Sequence, residues 1–465
     1  MTIRAADGVA FDAHLPVLIV GAGAAGHVAA LACRDAGIEC AMLERDAVPQ
    51  GSTALSSGLV PAAATAIQRA KNIADTPELF AADIQRKAKG QADPILVETL
   101  ARAIGPTVDW LKNAHGIPFE LLDDFLYPGH SALRMHGTPR RTGAELMAAL
   151  GTAAEKADAA TLTQARAAEL YADSDGTVRG VGVERPGGAI ERFGCDALVL
   201  CCNGFGGNPD MVARFLPEMR DALFAGHVGN RGDAILWGEA LGGATRHMGA
   251  YQGHGSVATP HGMLISWATM MEGGIQVNAD GRRFSNEHGG YSEQSVAVLA
   301  QPGRVAFSVY DKRCHDIAAQ FEEYREATAH GAVREFADAA ALAAAFDLPL
   351  GNLEQAIAQT KGASADPFGR NFATKPALAP PFYAVRVTGA LFHTQGGLVV
   401  DAGARVCRSD ASPLPNLFAA GGAACGVSGP AVWGYLSGNG LLSAIGFGCI
   451  AGQSAALHAS KRRPT

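Results

Sequence analysis

Three glycines and one acid, early in the sequence, have the types and spacing of a site for phosphates and a sugar: Gly21, Gly23, Gly26 and Glu44. Gly21 permits a tight turn, and Gly23 has no Cβ that would hold a pyrophosphate away from the backbone. Gly26 lets a helix pack closely on a strand. A carboxylate about 20 residues further on, here Glu44, accepts hydrogen bonds from ribose hydroxyls. The four residues predict a dinucleotide-binding site.

The sequence around these residues supplies the elements that such a site needs. The apolar run 17–20 is rich in β-branched residues, which suits a parallel strand buried on both faces. A helical pattern follows over 27–36, and a second apolar strand over 39–43 leads into Glu44. A Gly-x-Gly-x-x-Gly pattern alone is often only a turn. The order of strand, glycines, helix, strand and acid favours a dinucleotide whose pyrophosphate faces the helix N-terminus.

Size and composition indicate a large α/β protein. The chain has 465 residues, of which 48% are apolar and 57 are glycine, enough for two or three domains with many tight turns. The formal net charge of −7 argues against nucleic acid or an anionic membrane as a partner. No apolar run reaches the length needed to cross a bilayer, so we expect no membrane span. Residues 1–15 lack a signal-peptide core, and we expect a cytoplasmic protein.

The nine cysteines predict free thiols rather than a metal or redox centre. Their number is odd and no Cys-x-x-Cys pair occurs, so haem, iron–sulfur clusters and structural zinc are unsupported. The histidines lack the His-Glu-x-x-His spacing of a zinc site, and no Gly-x-Ser-x-Gly elbow of a serine hydrolase occurs. We therefore expect no resident metal.

Three further segments could border the same ligand. Small hydroxyl residues fill Gly51–Gly58, which is either a wall of the ligand site or a capped loop. An apolar strand over 196–202 leads into Asn203, Gly204 and further glycines, which suits backbone close to a cofactor. The last helix, predicted over 439–453, begins in glycine-rich backbone and offers a second helix N-terminus.

The residue pattern divides the chain into two regions. Residues 248–385 mix short strands, loops and an alanine-rich helical stretch, which we interpret as an inserted capping domain. Residues 1–247 and 386–465 carry the strand, turn and helix motifs and form a discontinuous Rossmann-type domain. The predicted fold class is α/β, a Rossmann-type domain with an inserted α+β capping domain.

These motifs resemble the FAD-dependent oxidoreductases that include the fumarate reductase and succinate dehydrogenase flavoproteins and the 3-ketosteroid dehydrogenases. The resemblance covers essentially the whole chain. It also rests on five stretches, at 203–209, 229–234, 277–287, 393–397 and 417–422. The resemblance implies that the Rossmann-type domain binds FAD and that the capping domain closes over the flavin ring.

The family pattern assigns residues to the cofactor. Those expected to hold FAD are Gly21, Gly23, Ala24, Ala25, Gly26, Glu44, Arg45, Ser52, Thr53, Ser57, Gly58, Asn203, Gly204, Asp233, Gly422, Asn439, Gly440 and Leu441. Succinate dehydrogenases attach FAD covalently through a His in the segment that matches Gly51–Gly58. No His occurs between Glu44 and Gly58 here, so we expect non-covalent FAD.

Two positions depart from the dicarboxylate-reducing members of this family. Those members place one Arg after a Phe-x-Asn-Glu motif, as proton donor, and another shortly before the last helix, where it clamps a substrate carboxylate. The first position is Tyr291 here, and the second is Tyr435. Guanidinium groups suit carboxylates and neutral phenols do not replace them, so a dicarboxylate substrate is disfavoured.

The two tyrosines suit a ketone, and the Tyr-Leu-Ser at 435–437 is similar to the Δ4-(5α) type of ketosteroid dehydrogenase. By position, Tyr435 would polarise the ketone oxygen, with help from backbone N–H groups around Gly438. Tyr291 would take the α-proton if its surroundings lower its pKa, with Ser437 as a relay. Each has a plainer interpretation: packing for Tyr435, an exposed phenol for Tyr291, and helix capping for Ser437.

Two histidines match positions that hold substrate in the dicarboxylate enzymes. His254 and His393 would line the substrate pocket, hydrogen-bond the flavin carbonyl, or be structural. A separate mixture of charged and aromatic residues over 127–141, with His130, Arg134 and His136, has no matched role and either faces a ligand or is a solvated loop.

The predicted reaction is α,β-dehydrogenation of a ketone, either a 3-ketosteroid or a smaller cyclic ketone such as a cyclohexanone derivative. The β-hydrogen would leave as hydride to flavin N5, and an external acceptor, a quinone, another flavoprotein or a dye, would reoxidise the flavin. One alternative is a reductase of an enone or an unsaturated carboxylate, in which Arg134, Arg140 or Arg141 supplies the missing charge. The other is a flavin-binding protein without catalysis.

Overall fold

The computed structural model of the protein describes residues 2–362 and 366–462. The last three residues of the predicted Rossmann-type domain, 463–465, lie outside this range. The strands are β1 (Thr2–Ala5), β2 (Ala13–Val20), β3 (Cys40–Leu43), β4 (Val60–Pro61), β5 (Glu120–Leu121), β6 (Met135–Gly137), β7 (Ala160–Leu162), β8 (Arg166–Ala172), β9 (Val178–Glu184), β10 (Ile190–Leu200), β11 (Leu223–Phe224), β12 (Thr245–Arg246), β13 (Tyr251–Ala258), β14 (Met263–Leu264), β15 (Ile275–Val277), β16 (Val305–Asp311), β17 (Arg334–Phe336), β18 (Phe382–Thr394), β19 (Gly397–Leu398), β20 (Arg405–Cys407) and β21 (Pro413–Ala419).

The α-helices are α1 (Ala24–Asp35), α2 (Gly51–Ala54), α3 (Ala66–Ala70), α4 (Pro77–Lys87), α5 (Pro94–His115), α6 (Gly143–Lys156), α7 (Pro209–Phe215), α8 (Asp233–Ala240), α9 (Ala268–Met271), α10 (Tyr291–Leu299), α11 (Lys312–Ala318), α12 (Glu322–Ala329), α13 (Ala339–Phe346), α14 (Leu350–Ala358) and α15 (Asn439–Ser460). Short 3-10 helices cover Pro217–Met219, Glu287–Gly289, Pro302–Arg304, Gln359–Lys361, Gly421–Ala423 and Val432–Gly434.

A nine-stranded sheet organises the dinucleotide-binding region. Its order is β1-β8-β9-β10-β2-β3-β7, with β21 paired to β10 and β20 to β21. β2 runs parallel to both β10 and β3, and residues 17–19 are fully buried, as a strand covered on both faces requires. β8, β9 and β10 form an antiparallel meander.

Two helices pack against this sheet and against each other. α1 begins at Ala24, three residues earlier than predicted, because the glycine turn itself enters the helix. A Cβ at Gly448 would lie 2.8 Å from the carbonyl oxygen of Ala25, and one at Gly452 would lie 2.4 Å from that of Ala29. The glycines of α15 therefore let its backbone approach α1 closely, which fixes the position of both helix N-termini.

α15 bears on the expectation that no apolar run is long enough to span a bilayer. It extends to Ser460, beyond the predicted end, and among the described residues it is the one helix long and apolar enough to cross a bilayer by length and composition. Gly, Ala and Ser residues lie between its strongly apolar ones, so no continuous run of large apolar residues marks it in the sequence. The most apolar window of the helix is 67% buried inside the protein, as in a core helix.

A seven-stranded sheet forms the core of the capping region. Its order is β14-β13-β18-β16-β15, with β11 and β17 also paired to β18. β18 runs antiparallel to β13 and β16 and crosses residue 386, where the sequence pattern sets the domain boundary. α10 packs on β13 and β18, so this sheet carries Tyr291 at one end of a helix and His254 and His393 on its strands.

Candidate functional site

Two cavities adjoin at the carboxyl ends of the parallel strands. The cofactor cavity is lined by residues at the ends of β2, β3 and β10 and after β21, namely Val20, Leu43, Cys201 and Gly421. The reaction cavity, about 1260 Å³ including its open mouth, lies between this region and the capping sheet. The two cavities share Ser52, Thr53, Asn203, Gly422 and Ala444, so one elongated ligand can occupy both.

The glycine turn shapes the cofactor cavity. Gly21 has a φ of 101°, and a Cβ there would lie 2.6 Å from the carbonyl oxygen of Cys201. A Cβ at Gly23 would meet nothing closer than the Thr53 hydroxyl at 3.8 Å, so it would extend into the cavity itself. Helix α1 begins after Gly23 without a side-chain cap, which leaves backbone N–H groups for an anion. These features fit a pyrophosphate.

Glu44 lies at the end of β3 and is held by the backbone. The N–H of Ala22 donates to its Oε2 at 3.1 Å, and the N–H of Asp46 donates to its Oε1 at 3.0 Å. A carboxylate has about four acceptor positions, so lone pairs remain for sugar hydroxyls. The residue lines the cofactor cavity, where the dinucleotide motif expects it.

The structure places most of the predicted cofactor residues on the two cavities. The cofactor cavity is lined by Gly21, Gly23, Ala24, Ala25, Glu44, Arg45, Ser52, Thr53, Asn203, Asp233 and Gly422, and the reaction cavity by Ser57, Gly58, Gly440 and Leu441.

Three of the predicted cofactor residues lie behind the walls of the cavities. A Cβ at Gly26 would be 2.0 Å from the carbonyl oxygen of Gly21, and one at Gly204 would be 1.9 Å from the hydroxyl of Thr394. Asn439 is buried and donates to the Ser428 hydroxyl at 2.9 Å. All three therefore position the walls and do not line them.

Sequence reasoning missed several residues of the cofactor cavity. Ala165 and the first two residues of β8, Arg166 and Ala167, line it. The N–H of Ala165 donates to the Glu44 carbonyl at 2.8 Å, which brings the start of β8 beside the end of β3. Asn230 also lines it and donates to the Ser52 hydroxyl at 2.7 Å. No local motif marks residues 165–167, whereas 229–234 is one of the family stretches.

Two tyrosines from different regions meet in the reaction cavity. Tyr291 is the first residue of α10, and Tyr435 follows the 3-10 helix that ends at Gly434. Their ring centroids are 6.0 Å apart with the planes at 61°, and both side chains are buried. Ser437 and Gly438 line the same cavity. The N-cap of α15 is Gly438, and no side chain caps this helix, so capping does not explain Ser437.

Burial dominates the acidity of both phenols. It raises the pKa of Tyr291 to about 12, although the hydroxyls of Ser437 and Tyr435 and the N–H of Gly438 favour its ionised form. Burial, with the neighbouring charge of Tyr291, raises the pKa of Tyr435 well above its usual range. The lowered pKa expected of Tyr291 as a base is therefore not found.

Two neutral histidines stand beside the tyrosines. His254 stacks on Tyr291 at 4.7 Å between ring centroids, and His393 meets Tyr435 edge to face at 5.6 Å. Burial lowers the pKa of His254 to about 3 and that of His393 to about 4. The N–H of Ser256 donates to His254 Nδ1 at 3.1 Å, so the ring proton is on Nε2. Both histidines line the reaction cavity as uncharged groups.

A buried ion cluster lies behind Ser437. Arg134 is fully buried between Asp75 and Asp83, with its nitrogens 2.9 and 2.7 Å from their carboxylates. Its Nη1 is 3.5 Å from Nδ1 of His130, whose Nε2 donates to the backbone carbonyl of Ser437 at 3.0 Å. Since a carbonyl only accepts, His130 carries its proton on Nε2. The segment 127–141 is thus partly a support for the reaction cavity.

The reaction cavity holds no cationic side chain among the described residues that line it. Arg134 pairs with the two aspartates of the cluster, Arg140 pairs with Glu322, and Arg141 donates to Asp124 at 2.8 Å. Of the residues that sequence reasoning missed, the cavity wall includes Tyr127, Trp267, Phe321, Glu323 and Tyr324. None of these lies in a family motif, and only the fold brings them together.

The nine cysteines form no disulfide. Within residues 2–362 and 366–462, no group of three or more His, Cys, Asp or Glu side chains is placed to hold a metal ion.

Comparison with known proteins gives a consistent result. The family described as FAD binding domain matches residues 16–441. A probable fumarate reductase, Ifc3 of Shewanella frigidimarina, is 30% identical over 453 residues, which cover 95% of this chain and 75% of that protein. The urocanate reductase of Eggerthella lenta is 28% identical, over 97% of this chain and 76% of that protein.

Solved structures share the fold. The open conformation of a flavocytochrome c3 fumarate reductase superposes with a TM-score of 0.81 at 28% identity, over 98% of this chain and 80% of that one. The 3-ketosteroid-Δ4-(5α)-dehydrogenase of Rhodococcus jostii RHA1, in complex with 4-androstene-3,17-dione, gives 0.77 at 24% identity, over 97% and 99%. These likenesses confirm the predicted fold class.

Proposed function

The chain belongs to the FAD binding domain family, and we propose that this FAD-dependent oxidoreductase of CH–CH bonds introduces an α,β double bond next to the carbonyl of a ketone. The family and the cofactor follow from the match over residues 16–441. The choice of a ketone rests on the reaction cavity.

One observation carries the choice: the reaction cavity presents Tyr291 and Tyr435, and its described lining includes no Lys or Arg. A substrate with one or two carboxylates needs cations or many donors when it leaves water. A ketone needs only hydrogen-bond donors for one oxygen and a base near its α-carbon. The lining of the reaction cavity therefore suits a ketone better than a carboxylate.

The two tyrosines have different roles. Tyr435 keeps its proton and donates to the carbonyl oxygen as enolate charge develops there, aided by the free N–H groups at the start of α15. Tyr291, whose ionised form is favoured by the Ser437 hydroxyl and the Gly438 N–H, accepts the α-proton, and Ser437 relays that proton away. Bound FAD supplies the hydride acceptor for the β-hydrogen. The ketone loses one proton and one hydride and becomes an enone.

The remaining polar groups suit a neutral substrate. His254 and His393 are uncharged at neutral pH, so they add hydrogen-bonding capacity without selecting an anion. The cavity wall is otherwise rich in aromatic and aliphatic side chains. A 3-ketosteroid or a smaller cyclic ketone matches this lining, and an external quinone, flavoprotein or dye would take the electrons.

The similarity to a probable fumarate reductase and to a urocanate reductase favours a second candidate, a reductase of an enone or an unsaturated carboxylate. It is the same chemistry in reverse. The carboxylate version has less support, because Arg134, Arg140 and Arg141 are each paired with acids and none lines the reaction cavity.

Anaerobic mixing tests the proposal. The FAD-loaded protein is combined with cyclohexanone, 4-hydroxycyclohexanone and a 3-ketosteroid, and flavin absorbance is followed. We expect bleaching by at least one ketone, with formation of its enone. Separately, the reduced protein is mixed with cyclohexenone and with fumarate. Absence of bleaching by every ketone, together with rapid oxidation by fumarate, would exclude the ketone and support the carboxylate reductase.

A further inference from the structure

One carboxylate lines the reaction cavity. Glu323 is the second residue of α12, and its neighbours Phe321 and Tyr324 line the cavity with it. No sequence motif marks this residue, and the proposed desaturation does not use it. An acid in a largely apolar substrate cavity is costly unless a ligand or the protein provides donors.

The protein provides few such donors. The hydroxyl of Ser57 lies 3.5 Å from Oε2 of Glu323, a long contact at the limit of hydrogen bonding. Arg140 pairs with Glu322 and Arg141 pairs with Asp124, so both of these cations are engaged elsewhere. Within the described part of the chain no ion pair involves Glu323. Its acceptor positions are therefore available to whatever enters the cavity.

We propose that Glu323 and Ser57 form a subsite that binds a hydroxyl donor on the substrate and disfavours a substrate carboxylate. This inference rests on the proposed function, whose ketone end is held by the tyrosine pair. A hydroxyl can donate to the Glu323 carboxylate and accept from the Ser57 hydroxyl at the same time. A carboxylate at this place would face a like charge, which selects against acids by repulsion.

The charge of the subsite depends on pH near neutrality. Burial raises the pKa of Glu323 to about 7, against the favourable contact with Ser57, and Glu322 and Glu326 on the same helix act in the same direction as burial. Burial, with the charges of Tyr291 and Glu323, raises the pKa of Tyr127 on the same cavity wall, so that phenol stays neutral. Burial likewise keeps Tyr324, the next residue of α12, neutral. Repulsion of an anionic ligand should therefore weaken below pH 7, as Glu323 becomes protonated.

Binding of inert phenols tests the subsite without turnover. A phenol ring resembles the enol of a cyclic ketone and cannot be desaturated. Three ligands differ only in the group opposite the phenol: 4-methylphenol, 4-hydroxybenzyl alcohol and 4-hydroxybenzoate. Their Kd values for the FAD-loaded protein are measured from the shift of flavin absorbance at pH 8 and pH 6.

The expected pattern at pH 8 is specific. The alcohol should bind about 10-fold tighter than 4-methylphenol, the effect of one hydrogen bond to a charged group. The benzoate should bind at least about 10-fold weaker than the alcohol, and this gap should narrow at pH 6. E323Q should remove most of the penalty on the benzoate and its pH dependence, and E323L should also remove the preference for the alcohol. E354Q changes an exposed acid on α14 and should bind all three ligands as the unmodified protein does.

The outcomes separate the subsite from the desaturation. A finding that the Kd ratios of the three ligands are the same in the unmodified protein and in both Glu323 variants would overturn the subsite, even if cyclohexanone still bleaches the flavin. So would tightest binding of the benzoate at pH 8. If no ketone bleaches the flavin but the ratios follow the expected pattern, the subsite stands and the proposed reaction fails.

Discussion

The rings of Tyr291 and Tyr435 meet edge to face at 6.0 Å, and they come from the capping region and from the segment before the last helix. Two phenol hydroxyls thus share one wall of the reaction cavity. Removing either hydroxyl while keeping its ring gives a direct test of its role.

Tyr435→Phe should leave FAD content and melting temperature nearly unchanged, because the ring and its contact with His393 remain. The rate of flavin reduction by a ketone should fall about 100- to 1000-fold, the usual effect of losing a donor to a developing oxyanion. Stopped-flow absorbance measures this rate. A rate within twofold of the unmodified protein would remove Tyr435 from the chemistry.

Tyr291 predicts a pH dependence with a definite sign. Its phenol must lose a proton to act as a base, and burial raises its pKa to about 12. The phenolate fraction therefore grows tenfold per pH unit below that value, so the reduction rate should rise between pH 7 and pH 10. Tyr291→Phe should react about 100- to 10,000-fold more slowly, with a flat profile. A falling rate over this range would contradict the assignment.

His130 predicts a positioning effect that acts through Ser437. His130→Phe removes the donor to the Ser437 carbonyl and should lower kcat about 10-fold with a smaller change in KM. His130→Gln keeps an N–H that can reach this carbonyl and should restore much of the loss. The pH profile adds a readout that destabilisation alone does not change. Once Ser437 and Gly438 are displaced, they no longer favour ionised Tyr291, so the rise of the reduction rate with pH should shift to higher pH. Equal kinetics for both variants would argue against positioning.

Gly23 predicts the location of the cofactor. In Gly23→Val the new Cβ would lie 3.8 Å from the Thr53 hydroxyl, its nearest neighbour among the described atoms, so the fold should persist. The side chain would fill the cradle at the start of α1, and the Kd for FAD should rise at least about 10-fold. Gly151→Ala is the matched control, since a Cβ there meets nothing within 4 Å and the position is far from the glycine turn in sequence. Flavin fluorescence on reconstitution measures both.

Local patterns were sufficient for the dinucleotide half of the site. The order of β2, the glycine turn, α1, β3 and Glu44 is contiguous in sequence, and each step has a local physical cause. The structure places Gly21, Gly23 and Glu44 on one cavity as that order requires.

The substrate half depends on long-range packing. Tyr127, Trp267 and Glu323 join Tyr291 only because the capping sheet and its helices fold over the strand ends. The raised pKa of Tyr291 has the same origin, since burial by distant segments outweighs the donors of Tyr435, Ser437 and Gly438. No periodicity or motif in a single sequence reports that burial.

The pairing of β2 with β10 has a consequence during synthesis. Strand β2 ends at Val20 and its neighbour β10 begins at Ile190, so a ribosome adding 5–20 residues per second leaves β2 without this partner for roughly 10–35 s. Residues 17–19 of β2 are fully buried in the folded protein, but during that time the β10 edge of this apolar strand is exposed on the nascent chain. Chaperones that shield such strands should therefore raise the yield of this protein.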